Sequence, residues 1–406
     1  MNYNLAARME RVKPSAIRDL LRYANDPDIV SFGGGYPDPT TFPIHEIGAI
    51  YADLAVPGNA GAFQYTVSDG LPKLRGQIAA RMAADGTPTN MEEVLVLQGA
   101  QQGLDLVAKL LLDDGDVVIT ENPTFLGAMI AFAPMKPTYA AVDMDEDGMC
   151  TDALDAMLTA NPRAKFIYTV PDFHNPTGIT MTLERRRRLL EVAQKHDVIV
   201  VEDSPYRDLR YEGDAVPTIK SMDTDGRVIY LGSFSKILTP GLRLGWAAAT
   251  PELIQNLGLL KLAADTQTST INMAVASEFL DRYDLDAHVA RVNVQYSAKR
   301  DLLLNVFDSA MPPGVTYTRP SGGLFTWLTL PEGFDAARFL LEEAIPHGRV
   351  AYVPGGPFYP DRAEPNHARL SFSSLERDEM VDAANRLGAL ITSAVDSGRF
   401  TKGKAA

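Results

Sequence analysis

Lys236 stands among groups that change what a lysine can do. Ser233 and Ser235 precede it, and Pro240-Gly241-Leu242-Arg243 follows. A lysine held near cations loses its proton more readily and can then attack an aldehyde to form an imine. Hydroxyls beside an arginine fork neutralise a phosphate dianion. Four other clusters carry complementary chemistry. Gly99-Ala100-Gln101-Gln102 is a small-residue turn ahead of a helical run, where unpaired N–H groups and the helix dipole bind phosphate. Asn122-Pro123-Thr124-Phe125 offers an aromatic face, and Phe173-His174-Asn175-Pro176-Thr177-Gly178 offers an amide. Glu202, Asp203 and Tyr206 supply carboxylates and a phenol. A carboxylate beside a ring nitrogen keeps that nitrogen protonated, so the ring accepts electrons. The set suits a phosphorylated, planar, cationic heterocycle that condenses with a lysine.

These clusters need elements to bring them together. From Glu92 to Trp246 the pattern alternates β and α. Val94–Leu97, Asp116–Thr120, Lys165–Val170, Val198–Val201 and Arg227–Leu231 read as strands, and each is followed by one of the clusters. Leu104–Leu112 and Leu183–Gln194 read as helices, the second capped by Thr182. Continuous apolar runs mark strands buried on both faces, so the expected fold is α/β with a mostly parallel sheet covered by helices. Ligands in such sheets bind beyond the carboxyl ends of the strands. Further on, Leu285–Phe307 is a long amphipathic stretch. Short strands at Val315–Thr318, Gly323–Leu330, Arg349–Val353 and Arg369–Phe372 follow, with helices at Ala336–Ala344 and Asp378–Ser393. The expected division is an N-terminal segment 1–45, a large domain 46–286 and a small α+β domain 287–406.

Pyridoxal 5′-phosphate needs each of the groups assembled above. The run Gly232-Ser233-Phe234-Ser235-Lys236-Ile237-Leu238-Thr239-Pro240-Gly241-Leu242-Arg243-Leu244-Gly245 resembles the lysine motif of the class I/II, fold type I aminotransferases. Asn175-Pro176-Thr177-Gly178, Asp203 with Tyr206, and Arg369-Leu370-Ser371 follow the family's order and approximate spacing. Ser31-Phe32-Gly33-Gly34-Gly35-Tyr36-Pro37, Gln64-Tyr65 and Tyr352-Val353-Pro354-Gly355 resemble the 2-aminoadipate and kynurenine aminotransferase subgroup. The similarity runs from about Ser15 to about Leu390.

The resemblance implies roles. Lys236 is the Schiff-base lysine and the base that moves the substrate's α-proton. Asp203 pairs with the pyridinium nitrogen, and Tyr206 and Asn175 hydrogen-bond the ring's phenolic oxygen. Ser233, Ser235, Arg243, Ala100 and Gln101 hold the phosphate, and Phe125 stacks on the ring. Tyr65 reaches the phosphate in a partner subunit, which implies a homodimer with shared sites. Arg369 grips the substrate α-carboxylate, assisted by Asn175, the Gly35 backbone and Tyr36. Arg18, in an N-terminal helix over the entrance, meets the substrate side chain. The family often has Tyr where this chain has Phe125, and Ser where it has Ala100. The implied activity is transfer of an amino group from an L-amino acid to a 2-oxo acid such as 2-oxoglutarate, with ping-pong kinetics. The donor is of the 2-aminoadipate, glutamate, aromatic or branched-chain type.

Composition narrows the alternatives. The chain has 406 residues, 46% hydrophobic and 22% charged, an ordinary balance for a globular protein. Its formal charge of −14 disfavours nucleic acid and anionic membranes as partners. One cysteine, Cys150, excludes an intrachain disulfide and suits a reducing, cytoplasmic location. No apolar run reaches membrane-spanning length, and the first residues do not form a secretory signal. Gly33-Gly34-Gly35-Tyr36-Pro37 is no dinucleotide fingerprint, because Pro37 and Pro39 forbid the helix that must follow. His174 has no neighbouring ligands, so no metal is expected. The Arg185–Arg188 run reads as a solvated helix face and Cys150 as inert. Two other activities remain open at this level. A β-lyase or decarboxylase uses the same scaffold, differing in which bond at Cα lies perpendicular to the ring. The effector-binding domain of a transcription regulator shares the fold, but would need a winged helix ahead of Ser31, where the residues are too few.

Overall fold

The computed structural model describes residues 3–12, 26–362 and 364–401. After β1 (Val30–Ser31), the apolar runs assemble into one eight-stranded sheet. Its members are β2 (Val94–Leu97), β3 (Val117–Asn122), β4 (Thr138–Asp145), β5 (Gly148–Met149), β6 (Ala164–Thr169), β7 (Ile199–Asp203), β8 (Val228–Ser233) and β9 (Gly245–Ala248). The order across the sheet is β2-β9-β8-β7-β6-β3-β4-β5. The run from β8 through β7, β6 and β3 to β4 is parallel, whereas β9 is antiparallel to both its neighbours and β5 to β4. Neighbouring residues of β3, β6, β7 and β8 serve two separate cores. Val118, Phe166, Val201 and Ile229 pack beneath helices that include Ala100–Leu111 and Thr270–Arg282. Ile119, Ile167, Val200 and Val228 pack beneath Thr151–Ala160 and Leu183–Lys195. Burial on both faces is why these strands lack an apolar-polar alternation.

A second sheet has the order β10-β11-β14-β13, formed by β10 (Thr316–Tyr317), β11 (Phe325–Thr329), β13 (Val353–Pro354) and β14 (His367–Ser371). Between them β12 (Val350–Ala351) pairs in parallel with β1. This ties the segment before the large sheet to the C-terminal part of the chain. The helix Leu285–Ala310 serves both regions: Leu285, Val289, Val292 and Tyr296 belong to the large core, and Leu303 and Phe307 to the smaller one.

Among the elements that escape the sequence pattern are β4 and β9. β4 contains two alanines and no β-branched run, and β9 is Gly-Trp-Ala-Ala; both are strands through pairing rather than propensity. The helix expected from Leu104 begins at Ala100. The Arg185–Arg188 run requires a correction. Arg186 is fully buried and forks onto Asp172, with Nη2 at 2.8 Å from Oδ1, while Nε donates to the Met181 carbonyl at 3.0 Å. Arg207 and Arg210 reach the same buried carboxylate. The helix turns this arginine inward because Asp172, in the loop after β6, has to be neutralised where water cannot reach it. Arg187 and Arg188 are exposed as expected.

Candidate active site

The carboxyl ends of β2, β3, β6, β7 and β8 open onto one cavity of ≈ 350 Å³. Lys236 lies in the turn after β8, and its Nζ donates to the Gly35 carbonyl at 2.7 Å. Burial, reinforced by the charges of Arg369 and Arg243, lowers its amine to about 8. The reason is that both a low dielectric and nearby cations disfavour the ammonium. Asp203 ends β7. Its Oδ2 accepts from the Tyr168 hydroxyl at 2.8 Å, whereas its buried Oδ1 has no hydrogen-bond partner among the described residues. Burial pushes this carboxyl up to about 7, with the charge of Glu121 adding to the effect and the Tyr168 hydrogen bond opposing it.

Asn175 links two parts of the site. Its Nδ2 donates to Tyr206 Oη at 3.1 Å, and its Oδ1 accepts from Arg369 Nη1 at 3.0 Å. Burial raises the Tyr206 phenol to about 12. Arg369, in β14, is 2% exposed and also donates through Nη2 to the Gly33 carbonyl at 2.7 Å. Its guanidinium lies 4.4 Å from the centroid of the Phe325 ring. Its Nε is buried and has no hydrogen-bond partner among the described residues. Burial lowers Arg369 to about 10, which leaves it charged at neutral pH.

At the other end of the cavity, Ala100 opens a 12-residue helix whose first amides point out of the turn. Gly99 holds φ +80° there, and a Cβ on it would come within 2.8 Å of Arg243 Nη2. Only glycine fits the turn and leaves the guanidinium beside the helix end. Ser233 Oγ accepts from the Ser235 amide at 3.1 Å. Gln101 Nε2 donates to the Gly127 carbonyl at 2.7 Å, anchoring the start of the helix that follows Phe125.

Every site residue expected from the sequence lines this one cavity except two. Tyr65 is 81% exposed and lies outside the lining, beside exposed Phe63 and Val67. Arg18 lies outside the described residues. Three further residues carry no mark in the sequence pattern. Phe325 lies under Arg369 and meets Tyr206 edge-on at 5.7 Å, and Val170 lines the same cavity. The third is Tyr168. Its one signal is a position within an apolar strand, and that pattern equally describes a core residue.

A mostly parallel sheet whose strand ends bring together this lysine, carboxylate, phenol and anion cradle defines a fold type I, pyridoxal-phosphate-dependent enzyme. The description "Aminotransferase class I and II" matches residues 53–387, and the chain belongs to that family. It is similar to aromatic-amino-acid aminotransferase 1 of Thermococcus litoralis, 39% identical over 94% of this chain and 92% of that one. The 2-aminoadipate transaminase of Thermus thermophilus is 38% identical over 93% and 94%. The structure of Pyrococcus horikoshii kynurenine aminotransferase in complex with PMP matches with a TM-score of 0.92 and 36% identity, covering 97% of this chain and 98% of that one. The chain is an aminotransferase acting on amino and oxo acids, and its cofactor is pyridoxal phosphate. The site fits that cofactor on its own chemistry. A buried carboxylate oxygen and a buried guanidinium nitrogen each lack a partner among the described residues, and a glycine cradle lies between a helix end and an arginine. Buried polar groups left without partners are rare unless a ligand completes them.

Proposed function

We propose that this site moves the amino group of an L-amino acid of 2-aminoadipate, glutamate, aromatic or branched-chain type to a 2-oxo acid such as 2-oxoglutarate. The observation that carries the reading is a pair of buried atoms without hydrogen-bond partners among the described residues, Asp203 Oδ1 and Arg369 Nε, on residues lining the cavity that holds Lys236. In this reading Asp203 Oδ1 meets the ring nitrogen of pyridoxal phosphate, and Tyr206 and Asn175 bind its phenolic oxygen. Phe125 lies against the ring. Ser233, Ser235, Arg243 and the amides of Ala100 and Gln101 hold the phosphate. Arg369 binds the substrate α-carboxylate through its Nε edge, with Asn175 and the Gly35 backbone beside it, and Tyr36 forms the side-chain wall. Arg18 meets the side chain itself.

When bound, the cofactor supplies an electron sink that makes the substrate's α-proton acidic. Lys236 Nζ then has the task of moving that proton. With its amine lowered to about 8, it takes up the α-proton and delivers it elsewhere on the reacting skeleton. The Gly35 carbonyl orients the amine meanwhile. Elimination or decarboxylation would use the same residues, but the relatives named above are aminotransferases.

We also propose a cytoplasmic homodimer in which Tyr65 reaches the partner's phosphate site. The exposure of Phe63, Tyr65, Val67, Leu259 and Leu262 supports this, since single chains rarely leave such an apolar group in water. The division into 1–45, 46–286 and 287–406 is likewise proposed, the long helix Leu285–Ala310 carrying the connection. The test is an absorption spectrum of the holoprotein. The visible band of the bound cofactor is expected to bleach with one or more of these donors and to return with 2-oxoglutarate. A band that stays unchanged across the whole panel would overturn the substrate assignment.

A further inference from the structure

Tyr168 sits one layer below the cavity, in β6, on the same face as Val170, which lines the cavity. In the sheet it pairs with Val201, two residues before Asp203. Its side chain is fully buried, and its ring meets Phe132 edge-on at 5.7 Å. Its hydroxyl donates to Asp203 Oδ2 at 2.8 Å. Burial holds the phenol well above its ordinary range, so the proton stays on Tyr168 and the group is a permanent donor.

The other charged group nearby does not compete for that bond. Glu121 accepts from Thr169 Oγ1 at 2.6 Å and from the Val170 amide at 3.0 Å, and His174 Nε2 lies 3.2 Å from its Oε2. On its far side His174 Nδ1 lies 2.8 Å from Thr177 Oγ1. Glu121 is thus held within its own network while its charge still acts on Asp203. Of the two Asp203 oxygens, one is occupied by the phenol and the other is unpartnered among the described residues. A carboxylate pinned through one oxygen cannot rotate without breaking that bond, so the phenol decides which oxygen faces the cavity.

We propose that Tyr168 is a positioning residue for amino transfer: its hydroxyl fixes the Asp203 carboxylate so that Oδ1 is presented, ionised, to the ring nitrogen of the cofactor. This rests on the role given to Asp203 above. The test measures the affinity of the apoprotein for pyridoxal 5′-phosphate and for 1-deazapyridoxal 5′-phosphate, in which a carbon replaces the ring nitrogen. Tyr168→Phe keeps the ring volume and the Phe132 contact, and removes only the donor. Because a hydrogen bond to a charged group is lost, the preference for the nitrogen-containing cofactor is expected to fall roughly tenfold. Affinity for the deaza analogue should stay as in the parent protein. In the loaded enzyme, kcat should fall while KM for the amino donor does not change. Equal weakening of both ligands, or an undiminished preference, would overturn the proposal. Asp203→Asn, measured in parallel, separates the two levels. If it abolishes the preference while Tyr168→Phe leaves it intact, only the role of Tyr168 fails. If Asp203→Asn also keeps the preference, the pairing of Asp203 with the ring nitrogen fails, and this proposal with it.

Discussion

Replacing Arg369 by lysine keeps the charge and removes the fork, and the surroundings set the cost. Two of the guanidinium nitrogens are committed inside the protein, to Asn175 Oδ1 at 3.0 Å and to the Gly33 carbonyl at 2.7 Å. The third, Nε, is buried and unpartnered among the described residues, which leaves one edge for a carboxylate. A lysine ammonium has three donors on a single atom and cannot reproduce two parallel bonds to a carboxylate. Losing one charge-assisted hydrogen bond costs about 1.5–3 kcal/mol, so kcat/KM for an amino acid is expected to drop roughly 10- to 150-fold. If the ammonium turns to the substrate, Asn175 Oδ1 or the Gly33 carbonyl goes unpaired, adding about 1–3 kcal/mol to the loss in fold stability. The assay follows the cofactor's visible band in single turnovers with an L-amino acid, and with the matching primary amine lacking the α-carboxylate. In this cycle the amino acid should slow by the stated factor and the amine should be unaffected. A drop of threefold or less for the amino acid, or an equal drop for the amine, would refute the reasoning.

Capture of cofactor by the apoprotein should speed up with pH and level off above a midpoint near 8. The neutral amine of Lys236 is the reacting form, and burial with Arg369 and Arg243 holds it there; a midpoint near the ordinary 10.5 would contradict this. Asp203→Asn should stabilise the apoprotein at pH 8 while weakening the cofactor. The Asp203 carboxyl rises from 3.8 to about 7 on folding, so the folded form binds the proton more tightly. Stability from Asp203 is therefore full below pH 3.8 and is lost as pH rises through about 7, by at most ~4 kcal/mol. Melting temperatures of the two apoproteins should separate as pH rises from about 4 to about 7 and stay apart above that, and a parent more stable than the variant at pH 8 would rule the account out. Mixing Tyr65→Ala with Lys236→Ala chains should restore about a quarter of the parent activity, since half the dimers are hybrids with one complete site each. No recovery would place Tyr65 outside the shared site.

Lys236, Asp203, Asn175, Tyr206 and Arg243 are legible in the sequence itself. Each follows or ends a run that only a doubly buried strand explains, and strand ends in such sheets face a common crevice. Local order along the chain therefore carries most of the cavity: the glycine turn ahead of Ala100, the aromatic after Asn122-Pro123 and the lysine motif. Tertiary packing decides what local order cannot. Arg186 sits in a run of four arginines that reads as solvated, and only the buried Asp172 explains its inward turn. β9 is a strand because β2 and β8 leave a place for it. Phe325 and Arg369 lie far along the chain from the lysine, yet the second sheet delivers both to the cavity. Tyr168 has the pattern of any core aromatic, and the fold alone sets its hydroxyl against Asp203. Sequence alone determines which chemical groups occupy strand ends, because period and turn residues are local. Which oxygen of Asp203 is taken, and which nitrogens of Arg369 are held, depends on contacts between residues far apart in the chain, and those exist only once the fold has closed.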